Sequence, residues 1–217
     1  MPTYNREALL PRSIQSVIAQ TLPSWELIVI DDGSSDSTAE VVRQLQASDP
    51  RIHYIYQENQ GAAAARNRGI ALSRAKYLAF LDSDDFLLPR HLEYRARMWQ
   101  LDQSIDLIHG RPQIIGDQYV VDRGCSRELV SLNDPNIRIG GTFTLNKGTM
   151  IAIGGFPLMR YAEDSSLYDL FVAFGHQIVE CRRKTYCYDR TGDDSITLKV
   201  REESERRSAA VRAIFAR

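Results

Sequence analysis

Short apolar runs, too brief to cross a membrane and rich in β-branched residues, constrain this chain most. Residues 27–30 read Leu-Ile-Val-Ile, residues 52–56 alternate as Ile-His-Tyr-Ile-Tyr, and residues 77–81 read Tyr-Leu-Ala-Phe-Leu. Continuous runs of this kind suit strands buried on both faces, and alternation suits a half-buried one. Helical patterns lie between them. Residues 6–20 carry Leu10, Ile14, Val17 and Ile18 at helical spacing, with Pro11 tolerable in a first turn. Ser37 and Glu40 have the S-x-x-E form of a capping box, followed by Val41, Val42 and Leu45 on one face. Residues 61–75 read as an Ala-rich helix. Helix and strand thus alternate three times, the pattern of an α/β fold with a parallel sheet and crossover helices.

The later half is less regular. It offers a helix near 90–101, a strand at 105–109, hairpin material at 113–121 and a Gly-rich stretch from 140 to 155. A last amphipathic helix, residues 164–174, has Leu167, Leu170, Phe171 and Phe174 on one face and stops at Gly175. No internal repeat or low-complexity linker divides the 217 residues, which fit one medium domain with its own core.

Composition narrows the function. A net charge of −1, from 27 basic and 28 acidic residues, argues against bulk attraction to nucleic acid, and no nucleic-acid partner is expected. Cys125, Cys181 and Cys187 are odd in number and lack CxxC spacing, so neither a disulfide framework nor a zinc knuckle is suggested. The start, MPTYNREALLPRS, has no apolar core of an export signal, and no run reaches the roughly 18 to 20 residues of a membrane span. A cytoplasmic location is expected.

Acidic groups collect where strands end. Asp31-Asp32 follows one apolar run and Asp82-Ser83-Asp84-Asp85 another, and open α/β sheets bind ligands at the C-terminal ends of their strands. Five carboxylates on one rim repel each other unless a cation joins them. An Asp-x-Asp suits a hard divalent ion held through oxygen, completed by substrate phosphates. A strand-to-helix turn with capping carboxylates accounts for Asp31-Asp32 equally well. Three carboxylates in four residues exceed what a turn needs.

Taken in order, Pro2-Thr3-Tyr4-Asn5, Asp31 to Asp36, Gly61 with Ala65-Arg66-Asn67, Phe80 to Asp85, Gly154-Gly155-Phe156 and Glu163-Asp164 resemble family 2 glycosyltransferases. The likeness runs from residue 1 to about Thr197. It implies a GT-A type fold with a Rossmann-like nucleotide-binding sheet and a mixed C-terminal acceptor half. Residues 1–87 would form the nucleotide-sugar half, 88–198 the acceptor half and 199–217 a tail helix. The implied activity is inverting transfer from a nucleotide-diphosphate sugar, most naturally a UDP-sugar, to a hydroxyl of a saccharide or lipid-linked acceptor.

By the same resemblance Thr3 and Tyr4 lie at the nucleotide, with the tyrosine ring on the base, and Asp32 accepts from the base N–H. Arg66 sits near the nucleotide on a helix whose N-terminus favours phosphate. Asp82 contacts ribose or metal-bound water and, with Asp84, forms the site for Mg²⁺ or Mn²⁺, which stabilises the leaving diphosphate. Asp164 is the general base for the acceptor hydroxyl. Asp85 caps the next helix or orients the acceptor side. His53, His91, His109 and His176 are read as structural, and no third protein ligand for the metal is assigned.

One departure concerns the first strand. The family places an apolar strand directly before Pro-Thr-Tyr-Asn, whereas only Met1 stands there, so a start assigned downstream or a truncated copy is expected, with a gap in the sheet. A non-catalytic nucleotide-sugar-binding remnant is therefore an alternative. A haloacid-dehalogenase-type phosphatase is another, since residues 80–84 resemble its apolar-strand Asp-x-Asp, but that motif belongs on a first strand and lacks the following Asp85. The tail from Lys199 to Arg217 holds six basic and three acidic residues. It reads as a packing helix or as an interfacial one giving peripheral contact with the inner face of a membrane.

Overall fold

The computed structural model describes residues 1–121, 129–134, 136–159 and 162–192. The elements of the first part are β1 (Pro2–Thr3), α1 (Leu10–Ile18), β2 (Leu27–Asp32), α2 (Thr38–Ser48), β3 (Ile52–Gln57), α3 (Ala62–Leu72) and β4 (Tyr77–Ala79). Then come β5 (Phe86–Leu87), α4 (His91–Leu101), β6 (Leu107–Gly110), β7 (Gln113–Gly116), β8 (Tyr119–Val121) and β9 (Leu129–Ser131). The last are β10 (Thr144–Asn146), α5 (Lys147–Ala152), α6 (Glu163–Ala173), β11 (Ile178–Cys181) and β12 (Tyr186–Arg190).

Among the described residues two compact units emerge, one drawn from 1–113 and 138–188, the other from 114–137 and 189–192. In the first, β1, β2 and β3 form a parallel sheet, with Ile30 opposite Pro2 and Ile28 opposite His53. The periodicity that marks α1 works as expected, because Leu10, Ile14 and Val17 are buried and pack with Val29, Val42 and Ile52. A second sheet runs β11-β6-β10-β4, in which β10 is antiparallel to both its neighbours and β11 is parallel to β6. Phe143, Leu145, Met150, Phe156, Leu167 and Phe171 build the core on this side. Cys181 and Cys187 are buried, and Cys125 lies outside the described residues.

Several local expectations are corrected. No capping box forms at α2. Ser37 makes no side-chain cap bond, and Asp36, two residues before Thr38, accepts from the Thr38 N–H at 3.0 Å instead. Strand β10 has only three residues, too few for a period, and was hidden in the Gly-rich stretch; Asn146 at its end caps α5 by accepting from the Gly148 N–H at 2.8 Å. Phe174, assigned to the buried face of the last helix, is 65% exposed, because α6 has ended one residue before it. In the second unit the hairpin expected over 113–121 is formed by β8 with β9, pairing Tyr119 with Ser131 and Val120 with Val130.

An apolar space of about 430 Å³ is bordered by Met1, Leu27, Ile28, Tyr77, Leu78 and Trp99. The terminal amine of Met1 donates to the Ile28 carbonyl at 3.0 Å, and its own carbonyl accepts from the Ile30 N–H at 2.9 Å.

Where β12 meets the rest of the core, Gly141 faces the buried ring of Tyr186. A Cβ at Gly141 would overlap the Tyr186 hydroxyl and ring, and neither can retreat in a packed interior. Gly141→Ala is therefore expected to cost about 1 to 3 kcal/mol, as overpacking does. Urea denaturation measures this, and an unchanged midpoint would contradict it.

Candidate active site

Buried strands deliver their acidic ends to one rim. Asp31 and Asp32 close β2, both buried. Asp31 is engaged locally, accepting from the Ser34 N–H at 2.9 Å and the Tyr54 hydroxyl at 2.6 Å. Asp32 fixes the approach to α3. It accepts from the Gln57 side chain at 2.7 Å and from the backbone N–H groups of Gln60 and Gly61 at 2.9 and 2.8 Å. A carboxylate has about four acceptor positions, so the capping role leaves Asp32 room for one more donor. Thr3 is buried at the end of β1 with its hydroxyl unpartnered, and Tyr4 beside it is 49% exposed. An aromatic face and an unsatisfied hydroxyl next to the β2 rim match what a nucleotide base and ribose offer.

Helix α3 starts at Gly61, whose φ of +91° suits glycine, and presents Arg66 and Asn67 in succession. The Arg66 guanidinium, 9% exposed, donates to Asp82 at 2.7 Å and to Glu163 at 2.8 Å. Asn67 clasps Phe156: its amide donates to the Phe156 carbonyl at 2.9 Å and accepts from the Phe156 N–H at 2.8 Å. A Cβ on Gly155 would lie 2.6 Å from that amide oxygen, and Gly155 has φ +83°. The Gly-Gly-Phe turn therefore needs its glycine for two reasons, the backbone angle and the approach of Asn67.

The loop after β4 carries Asp82, Ser83, Asp84 and Asp85. Ser13 on α1 reaches the carbonyls of Ser83 at 2.9 Å and Asp85 at 2.6 Å, so a small polar residue on the buried face of α1 anchors this loop. The side chains of Asp82 and Asp84 remain 28% and 27% exposed, whereas Asp85 is buried and accepts from the Tyr186 hydroxyl. Among the described residues no three metal-ligating side chains converge. Two partly exposed carboxylates, Asp82 bonded to Arg66 through Oδ1 and Asp84 paired with Arg6 at 4.0 Å, fit a cation that draws its other ligands from substrate phosphates and water.

Asp164 stands in the first turn of α6 and accepts from the Gly140 N–H at 2.7 Å. Burial pushes its carboxyl up to about 6 and the neighbouring Glu163 adds to this, while Arg66 and the Gly140 N–H pull the other way. Arg66 itself is pushed down by burial, but the carboxylates of Asp82, Glu163 and Asp164 outweigh that and raise it above its ordinary value. One guanidinium thus joins the loop carrying Asp82 to the helix carrying Asp164. Glu163, Ser13, Asn67 and Gly140 had no assigned role in the sequence; only the pairing of Glu163 with Asp164 hinted at the first. His91 is buried against Thr185 at 2.9 Å and His176 lies 3.2 Å from Asp106, so both serve the scaffold.

Solved structures share this arrangement of strands and helices. TarS of S. aureus, residues 1–349 in complex with UDP-GlcNAc, superposes with a TM-score of 0.74 at 20% identity, over 91% of this chain and 59% of that one. The mannosyltransferase PcManGT from Pyrobaculum calidifontis, solved with GDP-Man and Mn²⁺, gives 0.68 at 18% identity, over 86% and 54%. The fold is the GT-A type. The profile of Glycosyl transferase family 2 matches residues 1–165, and the chain belongs to that family, which leaves no place for the phosphatase alternative. Among curated proteins it is 35% identical over 171 residues to the UDP-Glc:alpha-D-GlcNAc-diphosphoundecaprenol beta-1,3-glucosyltransferase WfgD of Escherichia coli, covering 77% of this chain and 66% of that one. It is 40% identical over 93 residues to the glycosyltransferase GlyA of Streptococcus pneumoniae, covering 43% and 13%. The chain spans less than two thirds of the length of each of these relatives.

Because Arg66 is the nearby cation that holds Asp164 down, Arg66→Gln is expected to move the Asp164 titration above its value of about 6. Carboxyl-carbon NMR reads this directly, and a lower value in the variant would refute it. The raised carboxyl also sets a sign for stability. The folded state holds the Asp164 proton more tightly than the unfolded chain, so this contribution is present below the ordinary value of 3.8 and fades as pH rises through about 6.

Proposed function

We propose that the protein transfers a sugar, with inversion, from a nucleotide-diphosphate donor to a hydroxyl of a saccharide or lipid-linked acceptor. The observation that carries the reading is the partly buried Asp164 carboxylate, poised near pH 6 and linked through Arg66 to the Asp82 loop. A base near neutrality is suited to take a hydroxyl proton as attack occurs. Tyr4, Thr3 and Asp32 hold the nucleotide. Arg66 lies beside the diphosphate. Asp82 and Asp84 hold Mg²⁺ or Mn²⁺, and the ion supplies charge neutralisation for the leaving diphosphate. Asp164 Oδ accepts the proton of the acceptor hydroxyl while the helix and the Gly140 N–H keep the carboxylate in place.

A UDP-sugar is the favoured donor, supported by the UDP-glucose named for WfgD and the UDP-GlcNAc bound to TarS. The diphosphoundecaprenol in the name of WfgD supports a lipid-linked acceptor. Such an acceptor places the enzyme at the cytoplasmic face of a membrane, in peripheral contact. Among the described residues no helix is long and apolar enough to cross one, and the basic tail proposed for surface contact lies outside the described residues.

The test is UDP release from a panel of UDP-sugars with Mn²⁺, with UDP binding followed separately by thermal shift. Asp164→Asn is expected to lower turnover by roughly 10² to 10⁴, the usual worth of a general base, while UDP still shifts the melting temperature. Asp84→Ala should abolish the metal-dependent part of donor binding. In the wild type, kcat/KM should rise with pH and level off above about 6, because the base works deprotonated. Full turnover by Asp164→Asn, or donor binding that is the same in Asp84→Ala, contradicts the proposal. A wild type that binds UDP and turns over no donor would mark the non-catalytic remnant.

A further inference from the structure

Besides Arg66, Tyr186 also touches both sides of the candidate site, yet it belongs to neither. Its ring is 1% exposed, deep in the core with Leu81 and Leu87. Strand β12 places it by pairing antiparallel with β5, Tyr186 opposite Leu87, directly after the acidic loop. At its hydroxyl three parts of the chain meet. Tyr186 Oη donates to the buried carboxylate of Asp85. The same oxygen accepts from the Asp82 N–H at 3.4 Å. On the third side it abuts Gly141, so closely that a Cβ there would overlap the hydroxyl. Gly141 follows the glycine whose N–H holds Asp164, and a Cβ on Gly140 would lie 3.1 Å from the Asp164 side chain.

A buried phenol needs one partner for its proton, and an ordinary core would supply a carbonyl. Here the partner is a buried carboxylate one residue beyond the Asp-x-Asp pair, and charge-assisted bonds are the stronger ones. We propose that Tyr186 is a positioning residue that fixes the Asp82–Asp84 loop relative to the Gly140–Gly141 turn, and so the spacing between the donor diphosphate and Asp164. This role rests on the sugar transfer proposed for the same site. The spacing matters because a base misplaced by about 1 Å can cost on the order of a hundredfold in rate while leaving donor binding nearly intact.

Tyr186→Phe removes the hydroxyl and keeps the ring. Two measurements test it. Amide hydrogen exchange should quicken at least tenfold at Asp82 and Gly140 and stay unchanged at Val29 in β2. Turnover of a UDP-sugar should fall at least tenfold in kcat, with the donor KM within threefold of the wild type. Asp85→Ala should reproduce both effects, and Asp85→Asn, which keeps an acceptor for the hydroxyl, should recover most of the loss. If exchange at Asp82 and Gly140 is unchanged in Tyr186→Phe, the tie is overturned whatever the activity. If exchange quickens but kcat holds within threefold, the hydroxyl serves packing alone and the positioning role is overturned. An inactive wild type would instead count against the proposed function and leave the exchange measurement to decide the tie.

Discussion

The pairing of Arg66 with Asp82 and Glu163 is the constraint on which the acidic rim depends. Five carboxylates gathered at strand ends would push the loops apart in a partly desolvated cleft, where charges are screened poorly. A single guanidinium with five donors can serve two carboxylates at once. It does so from the middle of a helix that packs on β2, so the countercharge is carried by the scaffold rather than by a loop. The remaining acidic groups are handled differently. Asp31 and Asp32 are quenched by backbone and side-chain donors, Asp85 by a phenol, and Asp84 is paired with Arg6 at 4.0 Å. The rim thus commits most of its negative charge to its own architecture and keeps only Asp82 and Asp84 partly exposed.

Much of this fold was legible because the first three strands and helices obey local rules. Val29 and Ile30 are buried on both sides of a sheet, and the residues that encode α1 lie on one face with helical spacing. Periodicity fails where elements are too short to show any, as with β10, or where the competing signal is stronger, as when Asp36 supplies the cap that Ser37 promised. The candidate site divides along the same line. Order and spacing of six short motifs pointed to the residues that bear charge. Their partners were invisible, because Ser13, Gly140 and Tyr186 act through contacts between segments far apart in sequence, which no window of residues contains.

Belonging to family 2 of the glycosyltransferases accounts for the frame, and the frame alone gives little detail of chemistry. The detail lies in the environment of Asp164. A carboxylate in the first turn of a helix would ordinarily be stabilised as an anion by the helix dipole. Burial and the adjacent Glu163 reverse that tendency, and the Gly140 N–H and Arg66 stop the reversal short of a permanently protonated acid. The outcome is a group balanced between opposing influences, with Arg66 and Gly140 contributed by segments remote in sequence.

Arg66 and Asn67 are neighbours on α3, one setting the charge geometry of the rim and the other holding the turn at Phe156. Each residue added to or removed from a helix rotates the remainder of that helix by about 100°. A single insertion between Gly61 and Arg66 would therefore swing both side chains away together, releasing the acidic rim and the Gly-Gly-Phe turn in one event. The first turns of α3 are thus intolerant of length change in a way that point substitution would never reveal.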